Sequence, residues 1–427
     1  MISRWPQLHY GKAFVMGQTM RMISRTLFAA TIAALVISIQ PVQAAPQVFA
    51  LGIDENGGLS GPGGEILRAR LPDAQFILYG EDHGFADSPI VLRALAHEAR
   101  TYGFDHLVVE VGPLTTRLIE HTLAQQGIDG VHALVHESPL AIPFLSLKED
   151  DELVSDFLGR DAKGRPLLWG IDQEFIGSPA IHLQTLVTLA PNAAARSHAQ
   201  QLLTEEKDAA SKGAQDKFLM VRFHDADFDA LAAEFKGNAE AQTIIGALKE
   251  SAAIYQLWMG GHNYENNARR ARLLARNFLT DYRAAAEHEP KVIFKMGVEH
   301  VALGTTTVNT VDLGTLATSI ARANDKSALR IMFLPMGGHN RAFAPKPGDP
   351  TTVENYDSDE AKEFFTAIAL DRAQLSPRQW TLVPLEPIRQ SLDTKGIEAL
   401  KPFARFALLG FDYVVTTPDA KPATFLY

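Results

Sequence analysis

Two stretches decide the fold: Phe76-Ile77-Leu78-Tyr79-Gly80-Glu81-Asp82-His83 and, far downstream, Val292-Ile293-Phe294-Lys295-Met296-Gly297-Val298-Glu299-His300. In each, an apolar run is closed by glycine and a histidine follows three residues later. A short apolar run bounded in this way reads as a buried strand. The polar residues after it then lie at the carboxyl end of the strand, where open α/β sheets place ligands and chemistry.

Other runs finish in the same manner. Leu107-Val108-Val109 leads to Glu110, and Pro166 to Ile171 leads to Asp172, Gln173 and Glu174. Arg330 to Leu334 leads to Gly337-Gly338-His339. Five strand ends would therefore bring Glu81, His83, Glu110, Asp172, Glu174, His300 and His339 to one rim. Any of these taken singly also reads as a solvated loop residue.

Between the first two strands, Ile90, Val91, Leu92, Leu95, Ala96 and Ala99 recur at helical spacing, with Pro89 in the first turn behind Ser88 as cap. A helix crossing between two buried runs predicts parallel strands. Residues 181–288 change character to long amphipathic helices, with breaks at Lys212-Gly213 and Gly260-Gly261. Strand-like runs then resume at Lys291, Arg330, Trp380 and Tyr413. The expectation is an α/β fold: a mostly parallel central sheet flanked by helices, formed by residues 74–180 and 289–427, with the 181–288 helical insertion capping the site. Residues 45–73, rich in glycine, read as an irregular lead-in segment.

The chain has 427 residues and is 46% hydrophobic, enough for a full core. Residues 1–44 read as a signal peptide: Arg21 and Arg25 precede an apolar stretch from Leu27 to Ile39, and Val42-Gln43-Ala44 offers a cleavage site. Met20 or Met22 would suit the start of such a signal, leaving the upstream residues as an extension. A periplasmic or secreted location follows, with no membrane association after cleavage. The segment carries Arg4, Lys12, Arg21 and Arg25 and no acid, so its removal shifts the net charge from −10 to −14. That balance argues against nucleic acid as a partner. Cysteine is absent, which excludes thiol catalysis, disulfides and Cys-ligated metals.

A carboxylate and a histidine on one loop support two chemistries. The histidine can take a proton from water while an acid orients it. Alternatively His83, His300 and one or two of Glu81, Glu110 and Asp172, Glu81 foremost, ligate a divalent metal that acidifies bound water. Both are hydrolytic. No Gly-x-Ser-x-Gly elbow or Walker motif is present. In the helical segment Arg270 and Asn277 lie seven residues apart on one face. That face either closes over the site and binds an anionic or carbonyl oxygen, or is a solvated basic surface.

In this order, the motifs resemble the erythromycin esterase family and its wider superfamily, which includes ChaN-like haem-binding lipoproteins and Gly-x-x-His proteins of the TraB/TIKI type. Ile77 to Gly84 is similar to the family's strand-G-E-x-x-H loop, and Tyr102 to Glu110 to its next strand. Gly170-Ile171-Asp172-Gln173 is similar to its G-x-D-x stretch, and Arg272 to Asn277 to its R-x-M-A-x-N helix. Gly297 to His300 is similar to the segment bearing a second essential histidine, and Phe411 to Val415 to the last strand. The resemblance implies ester or amide hydrolysis of a small-molecule or peptide substrate, with His83 as base and Glu81, Glu110 and His300 organising water and substrate. Asp172, Arg272 and Asn277 would bind substrate. Glu81 and His83 are two residues apart rather than three, which is closer to the ChaN-like and Gly-x-x-His branches. The Gly-x-x-His branch implies metal-dependent proteolysis, whereas the ChaN-like branch implies, as the alternative, binding of haem, iron or another ligand without turnover.

Overall fold

A computed structural model describes residues 46–285, 289–343, 350–377 and 379–427. The expected signal segment lies outside the described residues. Eleven strands follow in chain order: β1 (Phe49–Ile53), β2 (Leu59–Ser60), β3 (Ala74–Glu81), β4 (Phe104–Val109), β5 (Leu168–Gly170), β6 (Lys291–Gly297), β7 (Ser327–Phe333), β8 (His339–Phe343), β9 (Thr351–Asn355), β10 (Trp380–Pro384) and β11 (Tyr413–Thr416). Nine form one sheet in the order β2-β1-β10-β11-β7-β3-β6-β4-β5, and β8 and β9 form a separate hairpin. From β11 to β5 every neighbouring pair is parallel. The antiparallel pairs are confined to the β10, β1 and β2 end.

Every residue of β3 is buried, as expected for a strand covered on both faces, which needs a continuous apolar run rather than alternation. Its side chains divide by parity. Ile77 and Tyr79 join Val91, Leu92 and Leu95 of the helix Asp87–Arg100 on one face. Phe76 and Leu78 join Leu313, Ala317 and Ala321 of the helix Leu313–Ala323 on the other. β3 connects to β4 past β6, whereas β6 connects to β7 past β3. The two connections leave in opposite directions, so the reversal of strand order falls between β3 and β6, at the ends where the two histidine segments begin.

Gly80 is required by this convergence. A Cβ there would stand 2.9 Å from Val301 Cγ2 and 3.0 Å from the Val298 Cα. The bare backbone lets the helical turn Val298–Val301, which carries His300, pack directly on β3.

Among the described residues, every element from Pro179 to Ala285 is helical. Its own core includes Leu186, Leu202, Leu203, Phe228 and Leu248. The breaks read at Gly213 and Gly260 are where the helices Ala193–Lys212 and Ala239–Met259 end. The last helix, Asn263–Ala285, returns to the sheet, with Phe278 packed on Phe294 at 5.2 Å between ring centroids. It thus belongs to both the insertion and the layer covering the sheet.

The lead-in differs from expectation. Residues 46–73 are not irregular: β1 pairs with β10, and a helix spans Gly61–Arg68. Pro62 stands in its first turn, where a missing N–H is tolerated. Gly61, Gly63 and Gly64 pack closely on β1 and β2.

The turn after His83 is clamped from outside. The Gly84 carbonyl accepts from Arg341 N of β8 at 2.8 Å and from Ala423 N at 2.9 Å. Gly84 has φ +90°, and a Cβ would lie 2.0 Å from the Arg341 carbonyl oxygen. Gly84→Ala should therefore destabilise the fold by at least about 1–3 kcal/mol through backbone strain. Thermal melts of the two proteins check this, and an unchanged Tm would show that the clamp is dispensable.

Candidate active site

Four adjacent parallel strands deliver the site. Glu81 closes β3 and His83 follows in the turn, Glu110 follows β4, Asp172 follows β5, and Gly297 and His300 follow β6. His83 Nδ1 lies 2.9 Å from Glu81 Oε1, and its Nε2 lies 3.4 Å from Glu110 Oε2. Glu110 also accepts from Gly297 N at 2.6 Å and from Arg270 at 2.5 Å. Arg270, on the helix Asn263–Ala285, donates Nε to Asp172 Oδ1 at 2.9 Å and pairs with the other Asp172 oxygen. His300 Nε2 is 3.6 Å from Glu110 Oε1, and its Nδ1 is 2.7 Å from Asp312 Oδ2.

Behind this layer is a buried ammonium. Lys295 Nζ lies 2.5 Å from Glu81 Oε1 and 2.6 Å from Asp150 Oδ1 of the helix Lys148–Ser155. The Ser88 hydroxyl donates to the other Glu81 oxygen. Ser88 is thus not the helix cap; the helix begins at Asp87 and the hydroxyl turns to the strand end.

The charges hold one another. Burial opposes ionisation of Glu81, but Lys295 and His83 outweigh it and hold its carboxyl down to about 2. For His83, burial favours the neutral ring, and the Glu110 and Glu81 carboxylates override it, raising its pKa to about 10. Burial likewise works against the Glu110 carboxylate, yet Arg270, His300 and His83 keep it well below the usual range. Asp150 is pushed up by burial to about 6 despite Lys295.

The structure therefore brings together His83, Glu81, Glu110, His300 and Asp172. Asn277 stands beside them, donating to the Ile171 carbonyl at 2.8 Å and so holding the loop that carries Asp172. Arg272 is exposed, and Arg270, two residues earlier, is the arginine that enters the cluster. Helix geometry explains the difference, because residues two apart point to different sides. Glu174 is buried against His182 at 3.0 Å, behind the rim rather than on it. His339 is exposed at the start of β8. Lys295, Asp150 and Asp312 were not singled out in the sequence, although a lysine inside a strand buried on both faces is itself a signal.

The candidate metal ligands all have partners within the site. Both nitrogens of His83 and both of His300 face carboxylates. The candidate ligands Glu81 and Glu110 are already matched by the Lys295 ammonium and the Arg270 guanidinium. Among the described residues, no group of three or more His, Asp or Glu is arranged to hold a metal ion.

No protein-family model matches the chain, and no curated protein matches it. Solved structures do. A histidine-to-asparagine mutant of the erythromycin esterase EreC, in its open conformation, aligns with a TM-score of 0.53 at 14% identity, covering 85% of this chain and 95% of that one. A Bacillus cereus protein aligns at 0.50 with 12% identity, covering 88% and 97%. The chain is thus similar in fold to an erythromycin esterase over most of its length, as the motif order implied.

Two outcomes follow from the geometry. Removing Arg270 as Arg270→Met strands two buried carboxylates and should cost roughly 3–5 kcal/mol. Arg270→Lys should recover only part, since an ammonium cannot bridge both acids through a planar fork. Chemical denaturation measures both, and equal stability of all three proteins would refute the bridge. The second outcome concerns pH. The His83 pKa is higher in the folded chain, about 10 against 6.5, so its ion pairs stabilise fully below pH 6.5 and lose that contribution as pH rises through about 10. Glu81 is lower, about 2 against 4.5, so its contribution is full above pH 4.5 and fades as pH falls through about 2. The stability gap between wild type and His83→Gln should narrow from pH 6.5 to 10. A gap constant over that range would contradict the assigned charge state.

Proposed function

We propose that this chain is an exported hydrolase of ester or amide bonds in a small-molecule or peptide substrate, with His83 as the base that deprotonates the attacking water. One observation carries the reading. The His83 side chain is 30% exposed, whereas Glu81, Glu110, Arg270, Asp172, Lys295 and His300 are each 11% exposed or less. Within this buried network, His83 is the ring that reaches solvent, and its Nδ1 is fixed by the Glu81 carboxylate. The esterase-like fold supports a hydrolytic activity. Periplasmic or secreted location rests on the signal-like features of residues 21–44, and among the described residues no helix is long and apolar enough to cross a membrane.

In the proposed reaction, Nε2 takes a proton from water as the water oxygen bonds to the carbonyl carbon. Glu81 holds the opposite nitrogen and stabilises the imidazolium, as the acid does in a His–Asp pair. The imidazolium then returns the proton to the leaving alkoxide or amine as the scissile bond breaks. His300, oriented through Nδ1 by Asp312, and Arg270 both pair with Glu110 and hold it beside His83, which supports a part for them in organising the site rather than in direct proton transfer. Carboxylates that are already matched by cations favour this route without a resident metal.

A base raised to about 10 is protonated in the resting site at neutral pH. Turnover should therefore increase with pH above 7. Glu110→Gln removes the largest charge raising the His83 pKa and should shift this rise to lower pH. The mature protein is assayed on a panel of esters, lactones and peptides across pH, with and without chelator. Loss of at least ~10²-fold in His83→Ala is expected from removal of a general base. Equal rates in His83→Ala, or turnover abolished by chelator, would overturn the mechanism, and no turnover on the panel would count against the hydrolase.

A further inference from the structure

Lys295 stands apart from the residues that face the cleft. It lies inside the sheet, in register with Tyr79 of β3 and Val109 of β4, with both neighbouring strands buried. Strand alternation directs it to the same face as Ile293, the face against which Phe144 packs. Its ammonium is 5.1 Å from the Phe144 ring centroid, and the same ring is 5.0 Å from the His83 ring. A lysine is rarely taken so far from water, because an ammonium's desolvation costs several kcal/mol unless compensated.

The compensation is asymmetric in a way that points to function. Lys295 Nζ and His83 Nδ1 approach the same oxygen, Glu81 Oε1, at 2.5 and 2.9 Å. Ser88 takes Oε2. Glu81 thus has three donors and no freedom to rotate, and the orientation of His83 is inherited from it. Asp150 touches Lys295 from the other side, at 2.6 Å, and holds the ammonium against Glu81.

We propose that Lys295 and Asp150 form a buried positioning pair that fixes the Glu81 carboxylate and, through it, the ring orientation of His83. Neither residue touches the reacting atoms. In its kinetic consequence the inference rests on the hydrolytic reading above; in its structural consequence it does not.

Lys295→Met alone leaves Asp150 and Glu81 as uncompensated neighbours, so misfolding of that variant would be uninformative. The test therefore uses Lys295→Met combined with Asp150→Asn, which removes one cation and one anion together. Melting curves establish that this double variant folds. Histidine-labelled protein then reports ring N–H protons by NMR, with His83→Ala assigning the His83 signal. The His300 Nδ1 proton, held by Asp312, is the internal reference.

The expected result is a folded double variant in which the His83 ring N–H signal is lost or broadened while that of His300 persists. On any substrate the wild type turns over, kcat falls ~10²-fold with KM unchanged, the penalty of a misplaced catalytic group. A folded double variant that keeps both the His83 signal and kcat overturns the inference and leaves Lys295 as a charge balancing Asp150. Should the wild type turn over nothing, the hydrolase reading fails, and the NMR comparison still decides whether the pair positions His83.

Discussion

Ionised groups cannot be gathered at the closed end of a sheet unless each carboxylate has a cation against it, and this requirement organises the molecule. From Asp150 through Lys295, Glu81, His83, Glu110 and Arg270 to Asp172, anion and cation alternate without a break. Coulomb attraction at these separations grows as the local dielectric falls, in step with the desolvation cost it must offset. The line draws on β3 and its turn, the ends of β4, β5 and β6, the helix Lys148–Ser155 and the helix Asn263–Ala285. No single layer supplies it, so the site exists only when sheet, flanking helix and insertion have all docked.

Topology explains why this end of the sheet can host it. Because the connections from β3 and β6 leave in opposite directions, the chain opens a crevice between the two central strands. Gly80 then allows the His300 turn to close onto β3, so the two histidines flank one carboxylate, Glu110. The β8 hairpin and the segment around Ala423 grip Gly84 from outside and fix the direction in which the turn presents His83.

Much of this was legible in the sequence, and the parts that were not share a cause. Buried strands announce themselves as unbroken apolar runs, closed by glycine in β3, β5 and β6, so β3 to β7, β10 and β11 could be read, together with the acids and histidines that follow the first five. Helix periodicity put Arg270 and Asn277 on one face, whereas motif similarity pointed to Arg272, and the packing favours the periodicity. Lys295 escaped because it sits inside an apolar run and was absorbed into it. Asp150 and Asp312 lie in loop-to-helix segments whose local sequence is ordinary, and only tertiary placement turns them toward the site. The lead-in before Ala74 was misjudged because glycines that permit close packing look, one residue at a time, like those that permit disorder.

The alternating line also restricts how the protein can change. Replacing any interior member by a neutral residue leaves two like charges facing each other or a charge facing nothing, whereas removing adjacent members of opposite sign shortens the line and keeps the alternation. Sequence drift around this site therefore proceeds in coupled pairs, and relatives that keep the fold with a different set of site residues should differ from this chain by matched exchanges of acid with base rather than by isolated ones.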